Sequence, residues 1–366
     1  MTNARPPAGS KPIRVMIVED SRPVREMLEY IVGRDSRLEV AESFGNAEDA
    51  LRKLHEVSPD VISMDIRLPG INGFEATQRI MAEKPTPIVV VSASVESEEL
   101  KISMNALRAG ALSVVEKPVS TSHEDYAKLA ERLCTQLVIM SQVRVIRQRV
   151  RRSLEKHPPV PASAPPAIGT MPRALESFQM LGIVASTGGP NALVKVLGGL
   201  GGNFPLPILL VQHITPSFLQ GFVSWLNDVV PFSVVEAVGG EIPKRGVIYV
   251  APAERHLLLH QGCLRLGEGP PVCTQRPSGT ELFRSMAQSL RAKGVGVLLT
   301  GMGEDGAAGL REMRDAGGYT IAEDETTAVV YGMPRAAVSM GAVCESLPLD
   351  GIAPRLLQLL TAPAVV

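Results

Sequence analysis

In the second half of the chain, a serine, a histidine and an aspartate each follow a short apolar run. Ser186 ends QMLGIVAS, His213 ends PILLVQH, and Asp305 lies in the glycine-rich loop after VGVLLTG. A serine attacks a carbonyl group when a histidine takes its proton and a carboxylate orients that histidine. Alone, each has an ordinary structural explanation, such as a helix cap for Asp305, and His256 and His260 are weaker candidates for the base. Together they predict serine-based hydrolysis.

The turn after Ser186 carries two glycines and a proline. Gly188 and Gly189 allow a tight turn that exposes amide groups beside the serine, and Pro190 suits the first turn of a helix. The hydroxyl would then lie near N–H donors and the positive end of a helix dipole, as an oxyanion site requires. A helix cap or a phosphate-binding turn is the alternative interpretation. Because ASTGG is not the GxSxG turn of α/β-hydrolases, we expect a distinct kind of serine hydrolase.

A second set of polar residues follows the apolar runs of the first half. Glu19 and Asp20 follow IRVMIV, Asp65 follows VISM, Ser92 ends IVVVS, and Lys117 follows VVE. Carboxylate oxygens are ligands that Mg²⁺ accepts, and Asp65 is placed to attack a phosphoryl group. The hydroxyl and the ammonium group would then contact the phosphoryl oxygens. The set predicts phosphoryl transfer to an aspartate.

Both sets of residues need strands that end at one edge of a sheet. From Ile13 onward, short β-type runs alternate with amphipathic stretches, which predicts five strands and five helices, and the same rhythm returns from Gln179. This alternation is typical of parallel sheets covered on both faces, with ligands at the carboxyl ends of the strands. The predicted fold class is therefore α/β, with two doubly wound domains. The predicted limits are 11–133 and 177–362 for the domains and 134–176 for a linker.

The linker prediction depends on composition. The last helix of the first domain is expected to continue through QLVIMSQVRVIRQRVRRSLEKH, and PPVPASAPPAIGTMP then excludes regular structure. Residues 144–156 contain five arginines and one lysine against a single acid. We interpret them as a solvated helix, because they lack the aromatic residues with which a nucleic-acid-binding arm stacks on bases.

The composition of the whole chain excludes several classes of protein. Its 366 residues carry a formal net charge of -1, which gives no reason to expect a nucleic acid or an anionic membrane as partner. No apolar run approaches the roughly 20 residues of a membrane span, and MTNARPPAGSKP lacks the core of a signal peptide. We therefore expect a cytoplasmic location. The four cysteines form no CxxC pair, which predicts reduced, structural thiols.

Residues 13–130 resemble a response-regulator receiver domain, which takes a phosphoryl group from a histidine kinase. The resemblance rests on the acids, the hydroxyl and the lysine described above, and on DIRLPGINGFE. The chain departs from the usual pattern in having Glu-Asp for Asp-Asp, and Val114 where many receivers carry an aromatic residue. The resemblance implies Asp65 as phosphoacceptor, Glu19, Asp20 and Asp65 as Mg²⁺ ligands, Ser92 as switch hydroxyl and Lys117 as phosphate contact.

The chain from residue 13 to about 349 resembles the chemotaxis-type protein-glutamate methylesterases (CheB type), in which a receiver is joined to a serine esterase domain. The motifs are GIVASTGGPNAL, VQHITPSF, VIYVAPAERHLLL, RPSGTELFRSMA, LLTGMGEDGAAGL and AEDETTAVVYGMPRAA. One departure is CTQRPSG, where a more basic, histidine-containing stretch is expected. The resemblance implies Ser186 as nucleophile, His213 as general base and acid, and Asp305 as orienting carboxylate, with Thr187, Gly188, Gly189 and Met302 near the pocket.

The expected function follows from this resemblance. It is phosphorylation-activated hydrolysis of glutamate methyl esters on the cytoplasmic part of chemoreceptors, with deamidation of glutamines in some members. A receiver without a phosphoryl group would cover the esterase cleft, and phosphorylation at Asp65 would uncover it. The expected partners are a chemoreceptor and a histidine kinase, without nucleic acid or membrane insertion. A phosphorylation-controlled hydrolase of another protein, or a response regulator that only binds, are the alternatives.

Overall fold

The computed structural model of the chain describes residues 11–92, 104–107, 109–118, 123–143, 145 and 178–361. In the first domain, the apolar runs form strands and the amphipathic stretches between them form helices. The strands are β1 (Ile13–Val18), β2 (Leu38–Phe44), β3 (Val61–Met64), β4 (Ile88–Ser92) and β5 (Ser113–Glu116), and the helices are α1 (Arg22–Arg34), α2 (Ala47–Val57), α3 (Gly73–Glu83) and α4 (His123–Ser141).

The first sheet has the strand order β2-β1-β3-β4-β5, and all its neighbouring strands are parallel. Because β1, β3 and β4 lie side by side, the residues that follow them meet at one edge of the sheet. Asparagines begin two of the covering helices: the side chains of Asn46 and Asn72 accept the N–H groups of Asp49 and Glu75. Such caps satisfy donors that a helix end leaves unpaired.

Two helices predicted for this domain differ from the structure or lie partly outside the described residues. The helix predicted over ELKISMNALRAG lies largely outside the described residues, of which 104–107 are helical. The expected continuation of α4 beyond Ser141 is wrong for the next two residues, since the N–H groups of Gln142 and Val143 bond to carbonyls three residues back. The Ser141 hydroxyl donates to the carbonyl of Val138, which favours termination there. The rest of the predicted basic helix and the proline-rich tether lie outside the described residues.

The second domain repeats the pattern on a larger scale. Its strands are β6 (Met180–Ala185), β7 (Ile208–Gln212), β8 (Ser233–Glu236), β9 (Val247–Val250), β10 (His256–His260), β11 (Cys263–Gly267), β12 (Gly294–Leu298), β13 (Tyr319–Glu323) and β14 (Glu345–Leu347). Its helices are α5 (Gly189–Leu200), α6 (Pro216–Val229), α7 (Gly279–Leu290), α8 (Ala307–Asp315), α9 (Met333–Ser339) and α10 (Leu349–Thr361), with a 3₁₀ turn at Arg291–Lys293.

The main sheet of this domain has the order β14-β13-β12-β6-β7-β9-β8, and its paired strands are parallel. Strands β12, β6 and β7 are therefore adjacent, and the loops that follow all three open at the carboxyl edge. A separate antiparallel hairpin of β10 and β11 was not predicted. Its two-residue turn, Gln261-Gly262, has φ of 49° and 80°, the left-handed geometry of a tight hairpin turn.

The two domains contact each other beside the carboxyl edge of the second sheet. The amide of Asn191, in the first turn of α5, donates to the carbonyl of Leu107 at 2.7 Å. The hydroxyl of Ser217, in the first turn of α6, donates to the Glu116 carboxylate at 2.8 Å. Val329 packs against the apolar core of the first domain. These contacts flank the places where Ser186 and His213 follow their strands. The predicted domain limits stay a prediction, and α4 packs on the first domain well past residue 133.

Two sequence-based exclusions concern membranes and disulfides. None of the described helices is long and apolar enough to span a membrane. All four cysteines are free thiols: Cys134 is buried in the first core, Cys263 is half-buried, and Cys273 and Cys344 are exposed. The expectation of unpaired thiols is confirmed, but the last two are not part of a core.

Candidate active site

Ser186 follows the central strand β6 and is held by the backbone on both sides. Its N–H group donates to the Thr300 carbonyl at 3.0 Å, and its own carbonyl accepts the N–H of Gly189 at 2.8 Å. Gly188 has φ of 81°, which glycine adopts without strain. Helix α5 begins at Gly189, with Pro190 in its first turn. The strand, turn and helix predicted around Ser186 are confirmed.

The two glycines of this turn leave no room for a side chain. A Cβ atom at Gly188 would lie 2.6 Å from the Cβ of Val329, and one at Gly189 would lie 2.2 Å from Oε1 of Gln212. The Gln212 amide donates to the Ser186 carbonyl at 2.9 Å. The turn is thus pressed against its neighbours, which fixes the Ser186 backbone.

His213 follows the adjacent strand β7, and its imidazole contacts a carboxylate. Its Nε2 lies 2.9 Å from Oδ2 of Asp305, with side chains that are only 8% and 2% exposed. Of the two neighbouring acids in this loop, Glu304 and Asp305, it is therefore Asp305 that contacts the histidine. When Nε2 donates to the carboxylate, the lone pair of Nδ1 is free to accept a proton.

Asp305 is surrounded by further donors. The Ser278 hydroxyl and the Gly279 N–H each lie 2.6 Å from its oxygens, and the Thr280 N–H lies at 3.1 Å. Burial opposes ionisation of Asp305, but hydrogen bonds from His213, Ser278 and Gly279 outweigh it and hold its pKa below the ordinary value. The carboxylate thus binds the N-terminus of α7 rather than capping α8, the following helix, whose N-cap is Gly306.

Ser186, His213 and Asp305 line one cavity of about 530 Å³ at the carboxyl edge of the sheet. Thr187, Gly188 and Met302 line it too, and Met302 is 51% exposed. Gly189, which was also expected there, is buried behind it against Gln212. The opposite wall belongs to the first domain, through Leu107, Val114, Arg132 and Gln136. The cavity is therefore shared by both domains.

The second predicted set of residues also meets at one edge. Asp65 is 4% exposed and its Oδ1 accepts the Ile66 N–H at 2.7 Å. The Lys117 ammonium group lies 3.0 Å from Oδ2 of Asp65 and 2.8 Å from Oε2 of Glu19. Ser92 is buried at the end of β4, and its carbonyl accepts the Lys117 N–H.

The three acids of this set suit a divalent cation. One carboxylate oxygen each from Glu19, Asp20 and Asp65 lies within 4.8 Å of the others. Burial raises the pKa of Asp65, and burial together with Asp65 raises that of Glu19, although Lys117 opposes both shifts. Glu19 and Asp65 are buried and Asp20 is exposed. Carboxylate oxygens are ligands that Mg²⁺ accepts, and a cation among them would relieve their repulsion.

Comparisons with known proteins agree with this arrangement. Residues 15–125 match the model of the response regulator receiver domain, and residues 181–356 match that of the CheB methylesterase. A curated relative from Paramagnetospirillum magneticum, "Protein-glutamate methylesterase/protein-glutamine glutaminase 2", is 55% identical over 349 residues, which cover 95% of this chain and 98% of the relative. This chain belongs to the CheB methylesterase family.

Other similarities extend the finding. A second curated relative, "Protein-glutamate methylesterase/protein-glutamine glutaminase 1" from Syntrophus aciditrophicus, is 44% identical to this chain. The matched region covers 95% of this chain and 98% of the relative. The solved catalytic domain of Thermotoga maritima CheB methylesterase is 35% identical, with a TM-score of 0.48 over 50% of this chain and 99% of that chain. The family models and the curated relatives confirm the predicted family, and the parallel sheets of both domains confirm the predicted α/β fold.

Three residues near the site were not singled out from the sequence. Ser278 binds Asp305, Thr300 accepts the Ser186 N–H, and Gly301 packs so closely that a Cβ there would lie 2.7 Å from the Cβ of Ser186. A signal existed for Ser278, since Ser-Gly-Thr-Glu before an apolar stretch matches a helix capping box. The roles of Thr300 and Gly301 depend on strand adjacency, which a local motif does not contain.

Proposed function

We propose that this chain hydrolyses methyl esters of glutamate side chains on a chemoreceptor, with Ser186 as nucleophile, His213 as general base and acid, and Asp305 as its orienting carboxylate. The observation that carries the proposal is the buried His213–Asp305 hydrogen bond in the cavity that Ser186 lines. The names of the relatives supply the substrate class and add glutamine deamidation as a second reaction of the same site.

The chemistry proceeds through an acyl-enzyme. His213 Nδ1 takes the proton of the Ser186 hydroxyl as Oγ attacks the ester carbonyl, and Asp305 stabilises the imidazolium that forms. The imidazolium then protonates the departing methoxide, so methanol leaves and glutamyl stays on Ser186. Water, deprotonated by His213, attacks this ester and releases the free glutamate. With a glutamine substrate, ammonia leaves instead of methanol.

The negative oxygen of each tetrahedral intermediate needs donors. The backbone N–H groups of Thr187 and Met302 both belong to residues that line the cavity. Within the described part of the chain, neither N–H is paired with an acceptor. Unpaired amides beside a nucleophile, close to the N-terminus of α5, suit an oxyanion site. Gly188 and Gly189 would contribute by letting the turn adopt this shape.

The receiver would supply control. Asp65 would accept the phosphoryl group from a histidine kinase, with Ser92 and Lys117 contacting its oxygens, and Glu19, Asp20 and Asp65 would hold Mg²⁺. When bound, the cation neutralises charge on the phosphoryl group and the carboxylates. Lys117 directly follows Glu116, whose carboxylate accepts the Ser217 hydroxyl across the domain boundary. A Lys117 that moves toward a phosphoryl group would therefore disturb this contact.

Without a phosphoryl group, the receiver would restrict access to Ser186. Receiver residues form one wall of the catalytic cavity, so they would narrow the entrance available to a protein substrate while they stay in place. Phosphorylation would weaken the contacts at Leu107 and Glu116 and shift the domains apart. We expect this to occur in the cytoplasm, where the kinase and the receptor's cytoplasmic part are found.

The test is methanol release from a methylated cytoplasmic fragment of a chemoreceptor, with and without Mg²⁺ and acetyl phosphate. We expect release to rise with the phosphodonor, to vanish in Ser186→Ala, and to lose its activation in Asp65→Asn. Release that persists in Ser186→Ala would contradict the assignment of the nucleophile. A phosphorylated wild-type protein that labels with a fluorophosphonate but releases no methanol would contradict the substrate.

A further inference from the structure

Thr300 lies beneath the nucleophile turn and uses every polar atom it has. Its carbonyl accepts the Ser186 N–H at 3.0 Å, and its hydroxyl donates to the Thr187 carbonyl at 2.9 Å. The same hydroxyl accepts the Val330 N–H at 2.9 Å. Thr300 is 1% exposed and does not line the catalytic cavity. It therefore contacts the nucleophile turn from behind, at two successive residues.

Glu323 holds Thr300 from the next strand. It ends β13, is 1% exposed, and accepts the Thr300 N–H on Oε2 at 2.9 Å. Among the described residues Oε1 has no donor in full hydrogen-bonding geometry, although the Thr327 hydroxyl lies close enough to the carboxylate to lower its pKa. The charged groups that act on Glu323 are its neighbour Asp324 and Lys195 of α5, which pairs with Asp350 of α10 at 3.5 Å. A carboxylate buried this deeply is costly in its ionised form unless hydrogen bonds or an opposite charge compensate it.

We propose that Glu323 and Thr300 are positioning residues that fix the Ser186 turn for attack, with Glu323 orienting Thr300 and Thr300 orienting the Ser186 and Thr187 backbone. The inference rests on the proposed function of Ser186. Neither residue contacts the substrate, because neither lines the cavity. Their effect is on where the Ser186 hydroxyl and the Thr187 N–H point, which determines attack and oxyanion binding together.

The sheet explains why these residues are needed. Strands β13, β12 and β6 are adjacent, so Glu323, Thr300 and Ser186 follow neighbouring strands and form a row across the carboxyl edge. The turn beyond Ser186 contains Gly188 in a left-handed conformation, and glycine gives it little stiffness of its own. Rigidity therefore has to come from contacts, and Thr300 provides two of them.

The first test is Thr300→Val, which keeps the shape and the backbone groups but leaves the Thr187 carbonyl without its hydroxyl donor and the Val330 N–H without its acceptor. We expect kcat for methanol release to fall by about 10²-fold, the effect of a misplaced reacting group, with KM nearly unchanged. Thr300→Ser restores the hydroxyl and is expected to restore most of kcat. A matched control is Thr320→Val, a buried threonine of β13 whose hydroxyl accepts the Cys344 N–H, away from Ser186.

The second test distinguishes a positioning role of Glu323 from a general loss of protein stability. Glu323→Leu leaves the Thr300 N–H unpaired, whereas Glu323→Gln keeps an acceptor of the same size, so we expect kcat to fall in the first and to recover in the second. Fluorophosphonate labelling of Ser186, in which the Oγ–P bond forms as fluoride leaves, should slow in parallel, because it needs the nucleophile but no protein substrate.

Two results would overturn the proposal. One is a kcat of Thr300→Val equal to that of Thr320→Val; the other is a loss that appears in KM and is not recovered by Thr300→Ser. Failure of the proposed function has a different signature: a wild-type protein that labels at Ser186 without releasing methanol. In that case the labelling rates of the same variants still decide whether Thr300 and Glu323 position the turn.

Discussion

The two halves of the molecule each place an aspartate after a strand at the carboxyl edge of a parallel sheet, yet they treat it in opposite ways. Asp65 and Asp305 are both almost fully buried. At Asp65, burial dominates and the pKa is raised, although Lys117 opposes it. At Asp305, burial is outweighed by donors from His213, Ser278 and Gly279, and the pKa is lowered.

The difference matches what each carboxylate would do. An aspartate that accepts a phosphoryl group must keep an oxygen available for a new bond, so it lies among other acids and one ammonium group. An aspartate that orients a histidine never changes its bonds, so it is held by a helix N-terminus and a serine. Burial alone therefore does not indicate the role of an acid, whereas the donors around it do.

The largest effect is expected when Asp305, the proposed orienting carboxylate, is changed. Asp305→Asn keeps the shape but offers an amide where His213 Nε2 needs an acceptor, which favours the wrong imidazole tautomer. We expect kcat for methanol release to fall about 10⁴-fold, as in other serine hydrolases. Suppose that Asp305→Asn retains more than a tenth of the wild-type rate of methanol release while His213→Ala is inactive. Asp305 would then not orient His213, and the contrast drawn between Asp65 and Asp305 would be wrong.

A third buried acid, Glu323, sharpens the comparison, because burial raises its pKa to about 7 despite the Thr300 N–H. Its ordinary value is 4.5, so the folded protein holds a proton that the unfolded chain releases, and stability falls as pH rises between these values. Glu323→Gln removes this titration. The variant should gain about 3 kcal/mol over wild type in the free energy of unfolding between pH 4.5 and 8.

The probe for this measurement is the single tryptophan, Trp225, which is buried in the second domain. Denaturant unfolding followed by its fluorescence reports on that domain. Glu325→Gln, at an exposed neighbouring acid, is the control: it keeps Glu323 and should therefore keep the pH dependence of the wild type, without the gain expected for Glu323→Gln. An equal pH dependence of wild type and Glu323→Gln would mean that Glu323 is ionised throughout this range.

A smaller effect is expected from one donor to the orienting carboxylate. Ser278→Ala removes the hydroxyl that donates to Asp305 but leaves the Gly279 and His213 contacts. A hydrogen bond to a charged group contributes about 1.5 kcal/mol or more, so we expect about a tenfold loss of kcat. Ser289→Ala, on the same helix with its hydroxyl on the Leu259 carbonyl, is the control. A loss of kcat in Ser278→Ala as large as that in Asp305→Asn would show that Asp305 cannot orient His213 without the Ser278 hydroxyl.

Much of this could be predicted from the sequence, because strand ends carry chemistry in parallel α/β folds. The positions of Ser186, His213 and Asp305 followed from apolar runs and glycine-rich loops. The order of the strands was not predictable from these runs, and it alone brings Thr300 and Glu323 behind the serine. The helix that Asp305 binds was also unforeseen: a cap of the following helix, α8, was only the alternative interpretation of Asp305, and the helix it binds is α7, which begins 26 residues earlier at Gly279.

The smallest expected effect concerns the contact that joins the two halves. Ser217→Ala removes the hydroxyl that donates to the Glu116 carboxylate. Both residues are only half-buried, so water weakens this bond and its contribution is about 1 kcal/mol. If the receiver restricts the cavity through this contact, the unphosphorylated protein should release methanol about fivefold faster, and the ratio of phosphorylated to unphosphorylated rates should fall by a similar factor. Because Ser217 does not line the cavity, the rate of the phosphorylated protein should change little. An equal rise in both rates would place the effect in the chemistry of the esterase half, and the two domains would then be less closely linked than the cavity that both of them line implies.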